Sequence, residues 1–197
     1  MIYTSDTIEQ VVGCFASLPT IGRKTAQRLT YHLLKRDNEF VTNFANSLIN
    51  LKSSIKYCSV CNNYTEIDPC PICSSDNRNR TQICVVEEPS DVMAIEKTNE
   101  FKGLYHVLHG LINPLDGVSP QDIKLQELIA RLNEVEEIIF ALNASIEGEI
   151  TTQYIAKIVK PFDIKLTRLA RGMPIGGELE FTDDATISRA LESRISL

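Results

Sequence analysis

No stretch of this 197-residue sequence approaches the roughly 20 consecutive apolar residues that span a bilayer. Its opening, MIYTSDTIEQ, lacks the basic start and apolar run of a secretory signal. These absences predict a soluble, unsecreted, cytoplasmic protein with no membrane partner. No internal repeat or low-complexity run is present, and 43% hydrophobic with 23% charged residues excludes a largely disordered chain. The Gly-rich stretch at 172–177 has no G-K-[ST], which excludes a Walker A nucleotide site. The length allows one or two domains with a core able to fold unaided.

Positive charge is also scarce overall, the net charge being -6 from 26 acidic and 20 basic residues. That total argues against a polyanion partner, but the distribution does not. Residues 1–57 hold seven Lys/Arg against four Asp/Glu, and 157–171 hold Lys157, Lys160, Lys165, Arg168 and Arg171 against Asp163 alone. Residues 134–150 carry five carboxylates and no base. A nucleic acid would therefore touch selected faces only, with salt-sensitive binding.

Six cysteines in such a chain point to metal ligands or buried thiols more than to disulfides. Cys58, Cys61, Cys70 and Cys73 form C-x2-C-x8-C-x2-C. Each C-x2-C knuckle aims two thiolates at one point, and two knuckles close a tetrahedral S4 shell with no open position, the structural zinc arrangement. Iron is the other metal that favours such a shell. Cys14 and Cys84 sit in apolar contexts, VVGCFA and QICVVE, and are expected to be inert core thiols.

Apolar periodicity predicts helices over 7–17, 23–36 and about 39–51, the last with Phe40, Phe44, Leu48 and Leu51 on a stripe suited to packing. After the cysteine module at 56–76, strands alternate with helices: QICVVE, 89–98, GLYHVL, 121–132, EEIIFAL, 148–160 and IKLTRLA. Alternation of this kind predicts a parallel sheet with helices packed over it. A Gly-rich tail from Gly172 leads to a short helix near 183–194. The fold class is thus α/β plus small modules.

Three places carry candidate chemistry. In LPTIGRKTAQRL, a tight hairpin feeds a helix whose first N–H groups are unpaired, which makes a cradle for one phosphate. Lys24 and Arg28 lie one turn apart on one face with Arg23 beside them; the alternative is an ordinary helical hairpin with a solvated basic face. Next, Glu87 and Glu88 end a strand where the carboxyl edge of an open parallel sheet forms its usual site. The strand EEIIFAL runs into NASIEGE. This order resembles the Toprim unit of topoisomerases, primases and small nucleases, a strand-end Glu followed by D-x-D-x-E-G-E: Glu87 matches the first, and Glu147, Gly148 and Glu149 match E-G-E. Asn143 and Ser145 stand at the two Asp positions. Magnesium needs carboxylate oxygens, so a Glu87/Glu147 pair would retain at most weak affinity for it. Last, His106 and His109 would face opposite sides of a strand, which argues for buried, hydrogen-bonded histidines over a joint metal site.

The order of modules, with LPTIGRKTAQRL, the four cysteines, VVEEPSDVMAIE, YHVLHGLINPLDG, ALNASIEGE and RLARGMPIGGELE, resembles the RecR family of bacterial recombination mediators along nearly the whole chain. Thr20 replaces a usual Gly and Arg23 a common Pro. The resemblance implies four parts: a helix-hairpin-helix DNA-binding domain (1–55), a C4 zinc finger (56–76), a Toprim domain (80–171) and a C-terminal oligomerisation tail (172–197). It implies a non-enzymatic DNA-repair clamp, a homotetrameric ring associated with the nucleoid. That ring would bind single- and double-stranded DNA and act with RecO, and RecF where present, to load recombinase onto gapped DNA. Arg23, Lys24 and Arg28 would face DNA; Cys58, Cys61, Cys70 and Cys73 would hold zinc; Glu87, Asp91 and Glu147 would form the Toprim surface that docks partners. The tail would be exchanged between subunits and ordered only in the oligomer. Two other readings stay open: a magnesium-dependent Toprim nuclease or topoisomerase-like enzyme, and a zinc-stabilised adaptor without DNA contact.

Overall fold

The computed structural model describes residues 5–170, 172–173 and 176–194. Arg171, one cation of the second basic patch, lies outside them, as do parts of the tail. The chain divides into two compact units, Met1–Ile55 and Lys56–Leu197.

The first unit is three helices, α1 (Asp6–Ala16), α2 (Arg23–Leu34) and α3 (Asn38–Ser54). Val12 of α1 and Ala26 of α2 are fully buried, and Thr30 closes its hydroxyl on the Ala26 carbonyl at 2.9 Å. A serine or asparagine is absent from the start of α2, whereas α3 begins with Asp37, which accepts from the Phe40 N–H at 2.7 Å. Two expectations fail in this unit. The α3 stripe is not core, since no residue of α3 is buried and Phe40, Phe44, Leu48 and Leu51 are all exposed. The periodicity is real, but within this chain no described element covers that face. Cys14 is likewise exposed on α1, turned away from the side that buries Val12.

The second unit opens with a two-residue ribbon, β1 (Lys56–Tyr57) and β2 (Tyr64–Thr65), and a short helix α4 (Pro71–Ser74). A four-stranded sheet follows: β3 (Asn79–Val86), β4 (Gly103–Val107), β5 (Glu137–Ala141) and β6 (Lys165–Arg168). Its order is β4-β3-β5-β6, every pairing parallel. The crossovers carry α5 (Pro89–Glu96), α6 (Leu125–Ile129) and α7 (Ile146–Val159); α6 is shorter than the predicted 121–132. The tail carries α8 (Asp184–Glu192), begun by Asp183 accepting from the Thr186 N–H at 2.9 Å.

β3 is apolar from Ile83 to Val86 because both of its faces are covered. Ile83, Val85, Ile138 and Phe140 pack with Leu125, Leu128, Ile155 and Val159 on one side. Cys84 and Val86 pack with Val92, Tyr105 and Val107 on the other. Each such aliphatic side chain contributes about 1.5–3 kcal/mol. Cys84 is the buried thiol expected, and burial pushes its pKa up to about 12. The chain leaves β3 for β4 on one side and returns to β5 on the other, so the carboxyl ends of β3 and β5 flank the switch point of the sheet. Open α/β sheets place ligands in that crevice.

Candidate functional site

Three sites stand on this scaffold. At the hairpin, the Ile21 N–H donates to the Leu18 carbonyl at 3.2 Å, and Thr20 adopts a left-handed φ of 65°. A β-branched residue is strained there, and Gly would not be. Gly22 starts α2 without any side-chain cap, so among the described residues no side chain satisfies the first-turn N–H groups. Arg23 is paired with Glu9 of α1. Lys24 and Arg28 are exposed and, among the described residues, form no ion pair. Of the three candidate cations, one is therefore held by a carboxylate and two are open to an anion.

The four cysteines are all buried and their Sγ atoms lie within 4.8 Å of one another. Cys61 and Cys70 Sγ are 3.6 Å apart. A tetrahedron with 2.3 Å Zn–S bonds has edges of about 3.8 Å, so the donor set fits zinc. The first knuckle is folded by the Asn62 N–H donating to the Cys58 carbonyl at 3.0 Å, and the Cys70 N–H donates to Cys58 Sγ at 3.3 Å. Thiols this close resist ionising together: Cys61 and Cys73 are pushed upward by their neighbours, while the hydrogen bond from Cys61 pulls Cys70 down. A divalent cation is the group that lets all four act as thiolates.

The third site is the crevice. Glu87 follows β3, Asn143 and Ser145 follow β5, and Glu147 sits in the first turn of α7; with Leu111, Asn113 and Val118 they line one cleft of about 360 Å³. Asn143 Nδ2 donates to Glu87 Oε2 at 3.0 Å. Partial burial raises the Glu87 pKa above the usual carboxylate range, against the lowering effect of that amide. Ser145 caps α7, accepting from the Gly148 N–H at 3.1 Å, and the Glu147 N–H together with the Ser145 hydroxyl lowers the half-buried Glu147 carboxyl. Gly148 is required, because a Cβ there would lie 2.1 Å from the Asn143 carbonyl oxygen. Asp91 accepts from the Glu88 N–H at 2.9 Å, so it braces the start of α5 beside the cleft; it does not line it.

His106 meets the expectation of a buried, hydrogen-bonded histidine, and His109 departs from it in burial. His106 is fully buried: its Nε2–H donates to the Lys124 carbonyl at 2.6 Å and Nδ1 accepts from Arg131 at 3.1 Å. His109 is only half-buried and lies beyond β4, where its ring donates to the Asn62 carbonyl of the zinc module. Periodicity gave no signal for that contact, since the partner lies 47 residues earlier.

A helical hairpin, a closed S4 metal shell and a parallel sheet with a depleted acidic crevice define a zinc-bearing helix-hairpin-helix and Toprim protein. Family models match in the same order: the RecR helix-hairpin-helix at 8–52, the RecR four-cysteine zinc finger domain at 55–75, the Toprim domain at 81–170 and the RecR C-terminal region at 172–195. Recombination protein RecR of Clostridium perfringens is 55% identical over 188 residues, 95% of each chain. Those of Chloroherpeton thalassium and Chlorobaculum tepidum are 54% and 53% identical over 205 and 204 residues, the whole of each chain. The chain belongs to the RecR family of recombination proteins, and the cysteine shell is its structural zinc site. No helix among the described residues is long and apolar enough to cross a membrane.

Proposed function

We propose that this protein is a non-catalytic DNA clamp that mediates recombinational repair. The observation that carries the reading is the Asn143 to Glu87 hydrogen bond, 3.0 Å, at the switch point of the sheet. Where Toprim enzymes gather carboxylates around magnesium, this crevice spends one carboxylate on an amide, and Ser145 serves as a helix cap. Two glutamates on the cleft wall leave an acidic surface suited to a basic protein segment. RecO, with RecF where present, is the partner this reading assigns to Glu87, Glu147 and the Asp91 shoulder, and recombinase loading onto gapped DNA is the outcome.

DNA contact is assigned to the hairpin. Lys24 and Arg28 lie one turn apart beside the uncapped start of α2, a combination that holds phosphate without reading sequence. So few cations suffice when several subunits present them together. A homotetrameric ring is supported by apolar surface that the single chain leaves open: Phe44, Leu48 and Leu51 on α3, and Leu179, Phe181 and Leu191 in the tail. Such a protein works in the cytoplasm, at the nucleoid, on single- and double-stranded DNA.

Charge reversal at Lys24 and Arg28 tests the assignment. The variant is expected to keep the wild-type oligomer by sedimentation and to lose DNA retention in gel shifts. Unchanged binding in an intact oligomer would move the DNA contact away from the hairpin and overturn the assignment.

A further inference from the structure

His109 stands between the zinc knuckle and the crevice and is explained by neither alone. Its φ is 57°, a left-handed conformation followed by Gly110 at 143°. A non-glycine residue held there costs about 1–2 kcal/mol and persists only where its surroundings fix it. The surroundings are specific. The ring nitrogen Nε2 donates to the Asn62 carbonyl at 2.6 Å, and the backbone N–H donates to the Glu87 carbonyl at 2.9 Å. The ring also meets the edge of Tyr57, with centroids 4.7 Å apart.

These contacts belong to a continuous series. Asn62 follows the ligand Cys61, and the carbonyls of both reach the end of β4: Cys61 accepts from the Val107 N–H at 2.9 Å, and Asn62 accepts from His109. The next amides turn inward to β3, Leu108 donating to Val86 at 3.0 Å and His109 to Glu87. Glu87 then meets Asn143 across the crevice. Successive residues of β4's end thus alternate between the zinc knuckle on the open edge of the sheet and the strand that carries the crevice glutamate.

We infer that His109 is a positioning residue, a strut through which zinc binding sets the backbone of Glu87. Zinc orders the Cys61–Asn62 knuckle, the knuckle holds the His109 ring, and the ring keeps residues 107–110 in the strained conformation from which the amides of Leu108 and His109 grip β3. Coupling of this kind is reciprocal, so weakening the strut must weaken zinc retention by the factor that zinc loss weakens the loop.

Two substitutions separate the ring from the backbone. H109G keeps a residue at ease with the left-handed conformation and removes the donor; H109Q keeps a side-chain N–H at the place of Nε2. In competition with a chelator, H109G is expected to lose zinc about three- to tenfold more readily than wild type, the range that one net hydrogen bond gives. Amide exchange at 107–110 should speed up with it, and H109Q should restore both. Wild-type zinc retention and exchange in H109G would overturn the inference. If H109G does not fold, the wild-type protein titrated with chelator decides. The amides of Leu108 and His109 should then lose protection in step with zinc loss while those of β5 keep theirs. Protection retained at 108–109 in zinc-free protein would contradict the strut.

Discussion

Asn143 donates its side-chain amide to the carboxylate of Glu87 across 3.0 Å, at the point where a catalytic Toprim site would set two carboxylates against one cation. One amide thereby does the work of a metal in holding the crevice together. Restoring Asp at 143 and 145 should reverse this. Asp also caps helices, so α7 is expected to survive the change at Ser145. N143D/S145D should be less stable than wild type without magnesium, because like charges then crowd Glu87, and should gain melting temperature on adding magnesium. Wild type should show no comparable gain; an equal rise in both would contradict this account of the crevice.

The loop that presents Asn143 is closed by Gly148. A Cβ at that position would meet the Asn143 carbonyl oxygen at 2.1 Å, and backbone cannot step aside as a flexible side chain can. Gly148→Ala is expected to cost about 1–3 kcal/mol or more in urea denaturation. An unchanged midpoint would mean that the loop has room the geometry does not show.

His106 sets an acid limit on the second unit. Burial lowers its pKa from 6.5 to about 4, so the folded state keeps it neutral while the unfolded state takes up a proton. Its contribution is complete above the unfolded value, near 6.5, and is lost as pH falls toward 4, by up to about 3 kcal/mol in all. A pH series of denaturation curves should show this slope, and His106→Gln should flatten it between those limits. The slope surviving unchanged in that variant would assign it to other groups.

Zinc removal should act on stability before it acts on any binding assay. The four cysteines are the buried cluster of residues 56–76, with Val60 and Ile72 packed against them. Chelation is expected to lower the melting temperature and release secondary structure locally, and zinc should restore both. A chelated protein with an unaltered melting curve would contradict a structural metal.

Much of this architecture was legible in the residues. The C-x2-C pairs announced the metal shell because ligand spacing is a local property, and the alternation of strands such as QICVVE with helices announced a parallel sheet. Asn143 and Ser145 at the two Asp positions were legible as a loss of carboxylates, but the bond of one to Glu87 and the capping of α7 by the other were not. What local pattern could not tell was which apolar faces find partners within the chain. Phe44 and Leu48 have core spacing and lie exposed, and Cys14 sits in an apolar context on an open face. Nor could it tell that Glu9 would take up Arg23, or that Asp91 would brace a helix instead of lining the cleft. The Glu9–Arg23 pair and the grip of His109 on the zinc knuckle depend on contacts distant in sequence, whereas the Asp91 brace is a local bond to Glu88 three residues back.

The most direct test of the central claim compares one DNA in covalently closed circular and linear forms, with magnesium present and across a salt series. A non-catalytic clamp predicts intact DNA on recovery, with salt-sensitive binding that persists longer on the circle than on the linear form, from which a ring can slide. Nicked or relaxed DNA, abolished by Glu87→Gln, would contradict it and make the crevice an active site.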